Sequence, residues 1–410
     1  MNFPRIRQFL PLILAVFALP LAAADFARPP EKNTRTPRKQ EYKLKRNHPA
    51  PAPVDAKELA AFPQNGTPRN IIFIIGDGMG QGAQAFASLH AHGAPDKLVM
   101  QQMPAAGLAQ TFSANSSVTD SAASGTALSS GYKTNNSMIG VNPELKKFRS
   151  IAEAAQADGR AVGIMTCDSL AGATPAAFYA HEKHRYMGPE IAAWTVASNF
   201  DVLIGNGDRK PFLPKELKGK RADGRNICAE LTAKGYLETS KEDALAKAPA
   251  NSKVFGFMNF PLDDTASLAR AAGLVFERLN ASPKGFFVMV ECAYPDWGGH
   301  GNKPDSSAGG VLMTDFLVRQ ALDFAMKHKD SLVVVTADHE TGGISVSPNR
   351  DDPKNPHIYY NGTGHSGAPV AVFAFGPGSA FFNGVVDNID IPRHFSKLWN
   401  LKIGLESEIK

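Results

Sequence analysis

Asn70-Ile71-Ile72-Phe73-Ile74-Ile75 runs directly into Gly76-Asp77-Gly78-Met79-Gly80. A continuous apolar run closed at once by glycines is the pattern of a strand buried on both faces, as in a parallel sheet covered by helices. Asp77 then falls at the carboxyl end of a central strand, the edge where ligands collect in open α/β sheets. A nucleotide loop is not indicated, because the spacing is not GxGxxG and no GK[ST] follows.

Working outward, short apolar runs recur at 161–165, 202–204, 254–257, 286–290, 332–335 and 370–375. Segments with helical spacing lie between them, notably 151–157, 191–200, 268–279 and 311–325. Strands alternating with helices predict a three-layer α/β/α sandwich around a large, mostly parallel central sheet. The stretch 209–252 is more polar and reads as a surface excursion carrying a helix near 227–233.

A second stretch, Val118-Thr119-Asp120-Ser121-Ala122-Ala123-Ser124-Gly125-Thr126, follows an extended segment at 107–112 and leads into 127–131. Its small residues let the backbone turn closely around a ligand, and a following helix aims its positive end at any anion on Ser121. Ser121 is thus placed to attack something anionic, provided a His or a metal ion activates it. The bland reading is that Asp120 or Ser121 only caps a helix.

The chain has 410 residues, 43% hydrophobic and 20% charged, ample for a large buried core. Its formal net charge of +5 collects near the N-terminus and forms no compact basic patch, which argues against nucleic-acid binding. Residues 1–24 combine Arg5 and Arg7, an apolar run and Ala22-Ala23-Ala24, the layout of a cleaved signal peptide. That layout predicts export, periplasmic or secreted, and no later run is long and apolar enough to span a membrane. Residues 25–69, rich in Pro, Lys and Arg, read as a basic, solvated arm, and the catalytic domain is expected over 70–405. Cys167, Cys228 and Cys292 allow at most one disulfide and form no CxxC knuckle.

Polar residues gather at the strand ends. Glu291, Asp296 and His300 follow the run at 286–290; Asp338, His339 and Glu340 follow 332–335; and Gly364-His365-Ser366-Gly367 precedes 370–375. Carboxylates and imidazoles without thiolates suit zinc at catalytic sites, and magnesium wherever only oxygens gather. Independent helix caps have no reason to choose Asp, Glu and His repeatedly along one edge of one sheet.

These motifs, with Ala173-Thr174-Pro175-Ala176-Ala177, resemble the alkaline phosphatase family in type and in order from 70 to 376. The resemblance implies one zinc on Asp296, His300 and His365, and a second on Asp77, Asp338 and His339 beside Ser121. It implies a magnesium on Asp77, Thr174 and Glu291, with Asp77 bridging. Arg185, in His184-Arg185-Tyr186, matches the family's phosphate-clamping arginine, and Asp120 is expected to orient it. A guanidinium can grip two phosphoryl oxygens at once, which fits that role. The activity so implied is hydrolysis of phosphate monoesters through a phosphoserine, rising above neutral pH, in a chain that pairs as a homodimer.

Some positions depart from the family's pattern. Gly172 stands where many relatives have Asp or His, Trp297 follows Asp296, and Cys292 and Pro295 interrupt the segment from Glu291 to Asp296. These changes leave the identity of the third metal open, and Cys292 reads as a packed thiol. The stretch from His339 to His365 is short where many relatives insert a crown, which predicts an open mouth and broad specificity. A sulfatase would need a C/S-x-P-x-R setting that Asp120-Ser121-Ala122-Ala123 lacks. A phosphodiesterase of the same superfamily, or a non-catalytic phosphate-binding protein, remains the rival reading.

Overall fold

In the computed structural model, which describes residues 38–408 apart from 43, 46, 353 and 354, every apolar run forms a strand of one sheet. Its ten strands, in chain order, are β1 (Asn70–Gly76), β2 (Ala105–Gln110), β3 (Ala161–Thr166), β4 (Val202–Gly205), β5 (Leu237–Thr239), β6 (Val254–Phe257), β7 (Phe286–Cys292), β8 (Ser331–Thr336), β9 (Val370–Phe375) and β10 (Gly384–Asp387). They lie side by side as β10-β2-β9-β8-β1-β7-β3-β4-β6-β5. All run parallel except β9, which is antiparallel to both β8 and β2.

β1 sits near the middle, with Ile72 opposite Val333 of β8 and Val288 of β7. Ile71 to Ile75 are completely buried. Burying each such side chain is worth about 1.5–3 kcal/mol, and a strand covered on both faces has no outlet for a polar residue. Helices Gln81–His92, Ser267–Asn280 and Pro304–His328 pack together on one face. Helices Ser121–Ser130, Ile151–Ala157 and Asp390–Trp399 cover the other, where Phe395 meets Phe73 edge-on at 5.3 Å. The three layers match the expected class.

Antiparallel β9 matters for function. It starts at the edge where β1, β7 and β8 end, so the segment leading into it carries His365 to the same place as Asp77, Glu291 and Asp338.

One expectation needs correction. The described part of the 25–69 arm is largely exposed, but it is docked and not free: Arg38–Glu41 adds a strand to the hairpin of Ile344–Ser347 and His357–Tyr360, and Ala56–Ala61 forms a helix that buries Leu59. Tyr42 bonds Asp305 and packs edge-on against Phe86, while Phe62 lies 4.8 Å from Phe375. Backbone pairing and a few apolar side chains suffice to dock it, whatever its charge. The 209–252 excursion is largely exposed and carries the expected helix, Ile227–Ala233; it is tied in by edge strand β5 and by buried Arg221, whose guanidinium bonds Asp223 and the Pro189 carbonyl. The signal-peptide segment 1–24 lies outside the described residues.

Candidate active site

Ser121 is the first residue of helix Ser121–Ser130 and is buried. Asp120 is the cap: its Oδ1 accepts the Ala123 N–H at 3.0 Å, and its carboxylate also accepts the Ser137 N–H. Its Oδ2 receives Arg185 Nη1 at 3.2 Å. Asp120 therefore does more than cap: it also holds Arg185. Capping fixes the carboxylate, and the fixed carboxylate aims the guanidinium. Burial works against the Arg185 charge, but Asp120 and Asp77 outweigh it and hold the guanidinium protonated.

Ser121 Oγ lies 3.2 Å from His339 Nε2. That nitrogen is in turn 3.1 Å from Asp338 Oδ2 and 3.4 Å from Asp77 Oδ1. The turn after β1 makes the approach possible. Gly78 has φ 67°, and a Cβ there would strike the Asp296 backbone and Thr341 Oγ1 at 2.7 Å. Asp338 Oδ1 accepts two N–H groups, from Gly78 and His339, each at 3.0 Å.

A second group adjoins the first. Asp296 and His300 sit one turn apart on helix Tyr294–His300, with Asp296 Oδ2 3.3 Å from His300 Nε2. His365 Nε2 lies 3.5 Å from Asp296 Oδ1 and 3.2 Å from His300 Nε2. The far nitrogens are held by backbone carbonyls: His365 Nδ1 by Thr119 at 2.9 Å and His300 Nδ1 by Thr363. Such bonds turn Nε2 toward a metal. His339 and His365 stack with centroids 3.6 Å apart.

The oxygen-only corner also assembles. Thr174 Oγ1 reaches Asp77 Oδ2 at 3.5 Å and also bonds Glu291, which accepts the Thr166 hydroxyl as well. All eleven residues expected at the site thus meet at one edge of the sheet.

The donor chemistry fits divalent cations. Asp77 Oδ1 and Asp338 Oδ2 are buried and accept no hydrogen bond, a costly condition for carboxylate oxygens unless something positive sits there. Ligand atoms of Asp296, His300 and His365 lie within 4.8 Å of one another, and so do those of Asp77, Asp296 and His339. Asp296 thus stands between the two groups, where the sequence reading gave it to one. Without cations the carboxyls resist ionisation. Burial, then the Asp338 charge, holds Asp77 well above the usual carboxylate range, and burial, then Asp168, pushes Glu291 up to about 8. Burial pushes Asp338 up to about 6. Asp296 goes the other way: burial opposes its charge, but hydrogen bonds from His300 and His365 hold it well below that range. Burial and the neighbouring His365 keep His339 neutral.

Several contributors were not singled out from the sequence. Thr341 donates to Asp296 Oδ1 at 2.5 Å and touches His339 Nδ1 at 3.2 Å, two residues after His339 in the same strand-end segment. Thr166 at the end of β3 bonds Glu291, while the Asp168 charge just beyond it works against Glu291's ionisation, and only the rule that ligands gather at such ends could have pointed to them. Cys292 is buried among packed groups, its Sγ 3.5 Å from the Gly310 carbonyl, and all three cysteines are free thiols.

Comparison with known proteins agrees with this geometry. The alkaline phosphatase family model matches residues 68–359. Alkaline phosphatase 4 of Bacillus subtilis is 33% identical over 311 residues, covering 70% of this chain and 64% of that protein. The structure of alkaline phosphatase from the Antarctic bacterium TAB5 superposes with a TM-score of 0.75 at 31% identity, over 82% of this chain and 99% of that one. A mutant of the TAB5 enzyme with Mg bound in the M3 site gives 0.74 at 30% identity, over 83% and 100%.

Proposed function

This chain belongs to the alkaline phosphatase family, and from that premise we propose that it hydrolyses small phosphate monoesters through a phosphoserine on Ser121, releasing inorganic phosphate. The observation that carries the reading is Ser121 Oγ lying 3.2 Å from His339 Nε2, beside carboxylate oxygens of Asp77 and Asp338 that have no hydrogen bond.

Asp296, His300 and His365 would hold one zinc, Asp77, Asp338 and His339 a second, and Asp77, Thr174 and Glu291 a magnesium. When bound, these cations supply Lewis-acid stabilisation of negatively charged oxygens during phosphoryl transfer. The chain's own residues do the rest. Arg185, steered by Asp120, grips non-bridging phosphoryl oxygens, and the positive end of helix Ser121–Ser130 faces the same charge. Ser121 Oγ forms a bond to phosphorus as the ester oxygen leaves as an alcohol. Water then cleaves the phosphoserine, returning Ser121 and giving inorganic phosphate.

The charged, apolar and small-residue pattern of 1–24 supports export to the periplasm or beyond, and among the described residues no helix is long and apolar enough to cross a membrane. Pairing into a homodimer rests on family membership alone.

Metal analysis of purified protein, combined with p-nitrophenyl phosphate turnover before and after chelation, tests the proposal. The expected result is zinc and magnesium in the protein, loss of turnover on chelation, and recovery when both are returned. Turnover that survives complete metal removal would refute it. A faster rate on a diaryl phosphate than on an aryl phosphate would instead favour the diesterase reading.

A further inference from the structure

Two of the three thiols meet at the edge of the sheet that carries the site, and the phosphoryl-transfer scheme uses neither. Cys292 ends β7, and Cys167 follows β3 directly. These strands are parallel neighbours in which Thr166 lies opposite Glu291, so Cys167 and Cys292 come together one step further along. The Cys167 N–H donates to the Glu291 carbonyl at 3.2 Å, which carries the pairing into that step. Thr166 and Glu291 bond through their side chains and therefore share one face. Successive side chains alternate, which sends both cysteines to the other.

Sulfur then takes over from the backbone ladder. The Ala293 N–H donates to Cys167 Sγ at 3.1 Å, which sets that sulfur against the backbone leaving Cys292. Cys292 Sγ lies 3.5 Å from the Gly310 carbonyl of helix Pro304–His328, and the two thiols also hydrogen-bond each other. Adjacent strands run about 4.8 Å apart. That spacing falls inside the roughly 4.4–6.8 Å between Cα atoms that a disulfide spans. Cys228 stands apart, beside Glu238 of β5, three strands beyond β3.

Resting on the export reading above for its oxidant, we propose that Cys167 and Cys292 close a disulfide that fastens β3 to β7, leaving Cys228 as the free thiol. Each sulfur gives up one proton and one electron as the S–S bond forms, and a disulfide-bearing oxidant takes up both and departs as two thiols. Both cysteines are buried, so the bond forms while the chain folds, before helix Pro304–His328 covers it. It ties together the strand ends that present Thr166 and Glu291, and the cross-link limits the freedom of the unfolded chain.

The test is to refold the full chain from denaturant in oxidised and reduced glutathione with zinc and magnesium, then denature it, block it with iodoacetamide and map it by mass spectrometry. The expected product is lighter than the reduced chain by a pair of hydrogens before blocking, is alkylated at Cys228 alone, and yields two peptides joined through Cys167 and Cys292. Its Tm should exceed that of the reduced protein. Cys167→Ala is expected to leave Cys228 and Cys292 both alkylated and a Tm that reductant does not move; Cys292→Ser replaces it if it does not fold. Three alkylated cysteines in wild-type protein that has regained the circular dichroism of the native chain overturn the proposal. A bond to Cys228, or a linked form no more stable than the reduced one, overturns it as well. If the pair closes in glutathione but is open in chain taken from cells and blocked at once, the pairing stands and the export reading alone fails.

Discussion

Asp120 shows how one side chain can join helix formation to chemistry. One oxygen caps the helix that starts at Ser121, and the other holds Arg185. Asp120→Asn separates these roles, because the amide oxygen can still cap while the charge that steers the guanidinium is gone. We expect an unchanged Tm with weaker inhibition by inorganic phosphate, and a falling Tm would show that capping had been lost as well. Arg185→Lys keeps a charge but not the two-pronged grip, so kcat/KM is expected to fall by roughly 10- to 100-fold. Ser121→Ala removes the nucleophile and no ligand. Its turnover should drop by about a thousandfold or more with metal content intact. Acid quenching should trap phosphate on the wild-type chain and none on the variant; an alanine variant within tenfold of wild type would mean that water attacks phosphorus directly.

Strands set the positions of these side chains, and their starts are tied together by Asn70. Its Nδ2 donates to Ser331 Oγ and Asp330 Oδ1, both at 3.1 Å, while its Oδ1 accepts the Phe286 N–H at 3.2 Å. One buried amide therefore sets β1 against both β7 and β8 at the end opposite the site. Asn70→Ala strands the Phe286 N–H, though the Ser331 hydroxyl keeps its bond to Asp330 Oδ1, and should cost about 1–3 kcal/mol, read as a lower Tm with zinc content unchanged in the folded fraction. The seven apolar runs were legible because strands buried on both faces tolerate no polar interruption. Edge strands β5 and β10 were not, being short and largely exposed on their outer sides. Helix Gln81–His92 escaped notice too, its alanines, glycine and histidines giving little apolar stripe. The docking of 38–62 could not be read locally, since the strand partner of 38–41, at 357–360, lies some three hundred residues away in sequence and binds it through backbone. At the site, clustering of Asp, Glu and His at strand ends was visible from composition, whereas assigning His365 or Arg185 a role needed the family resemblance. Thr341 and Asp168 stayed hidden because hydroxyls and carboxylates in loops are common and only their neighbours give them meaning.

At the scale of the whole molecule, the price of the site is a buried excess of carboxylates, and it should appear in the stability of the metal-free chain. Glu291 is pushed up to about 8 and Asp77 is held well above the usual range, both by burial first. The unfolded chain releases those protons near pH 4, so between the two values the folded state holds more protons and stability falls as pH rises. His339 opposes this only below about pH 6.5, where the unfolded chain binds a proton that the buried neutral ring refuses. His365 is raised, since Asp296 outweighs its burial, so it too loses stabilisation as pH climbs through its folded value. From pH 6.5 to 8 these groups therefore act in one direction, by up to about 1.4 kcal/mol per pH unit for each proton that differs. Divalent cations reverse the sign, because they replace the protons and bind more tightly as the carboxyls ionise. Calorimetric melting of chelated protein should give a Tm that falls from pH 6.5 to 8, while the zinc- and magnesium-loaded protein holds or gains, so that the gap between the two widens with pH. A chelated protein whose Tm is flat or rising across that window would mean that the carboxyl cluster is already ionised without metal. The charge balance argued for the crevice would then be wrong.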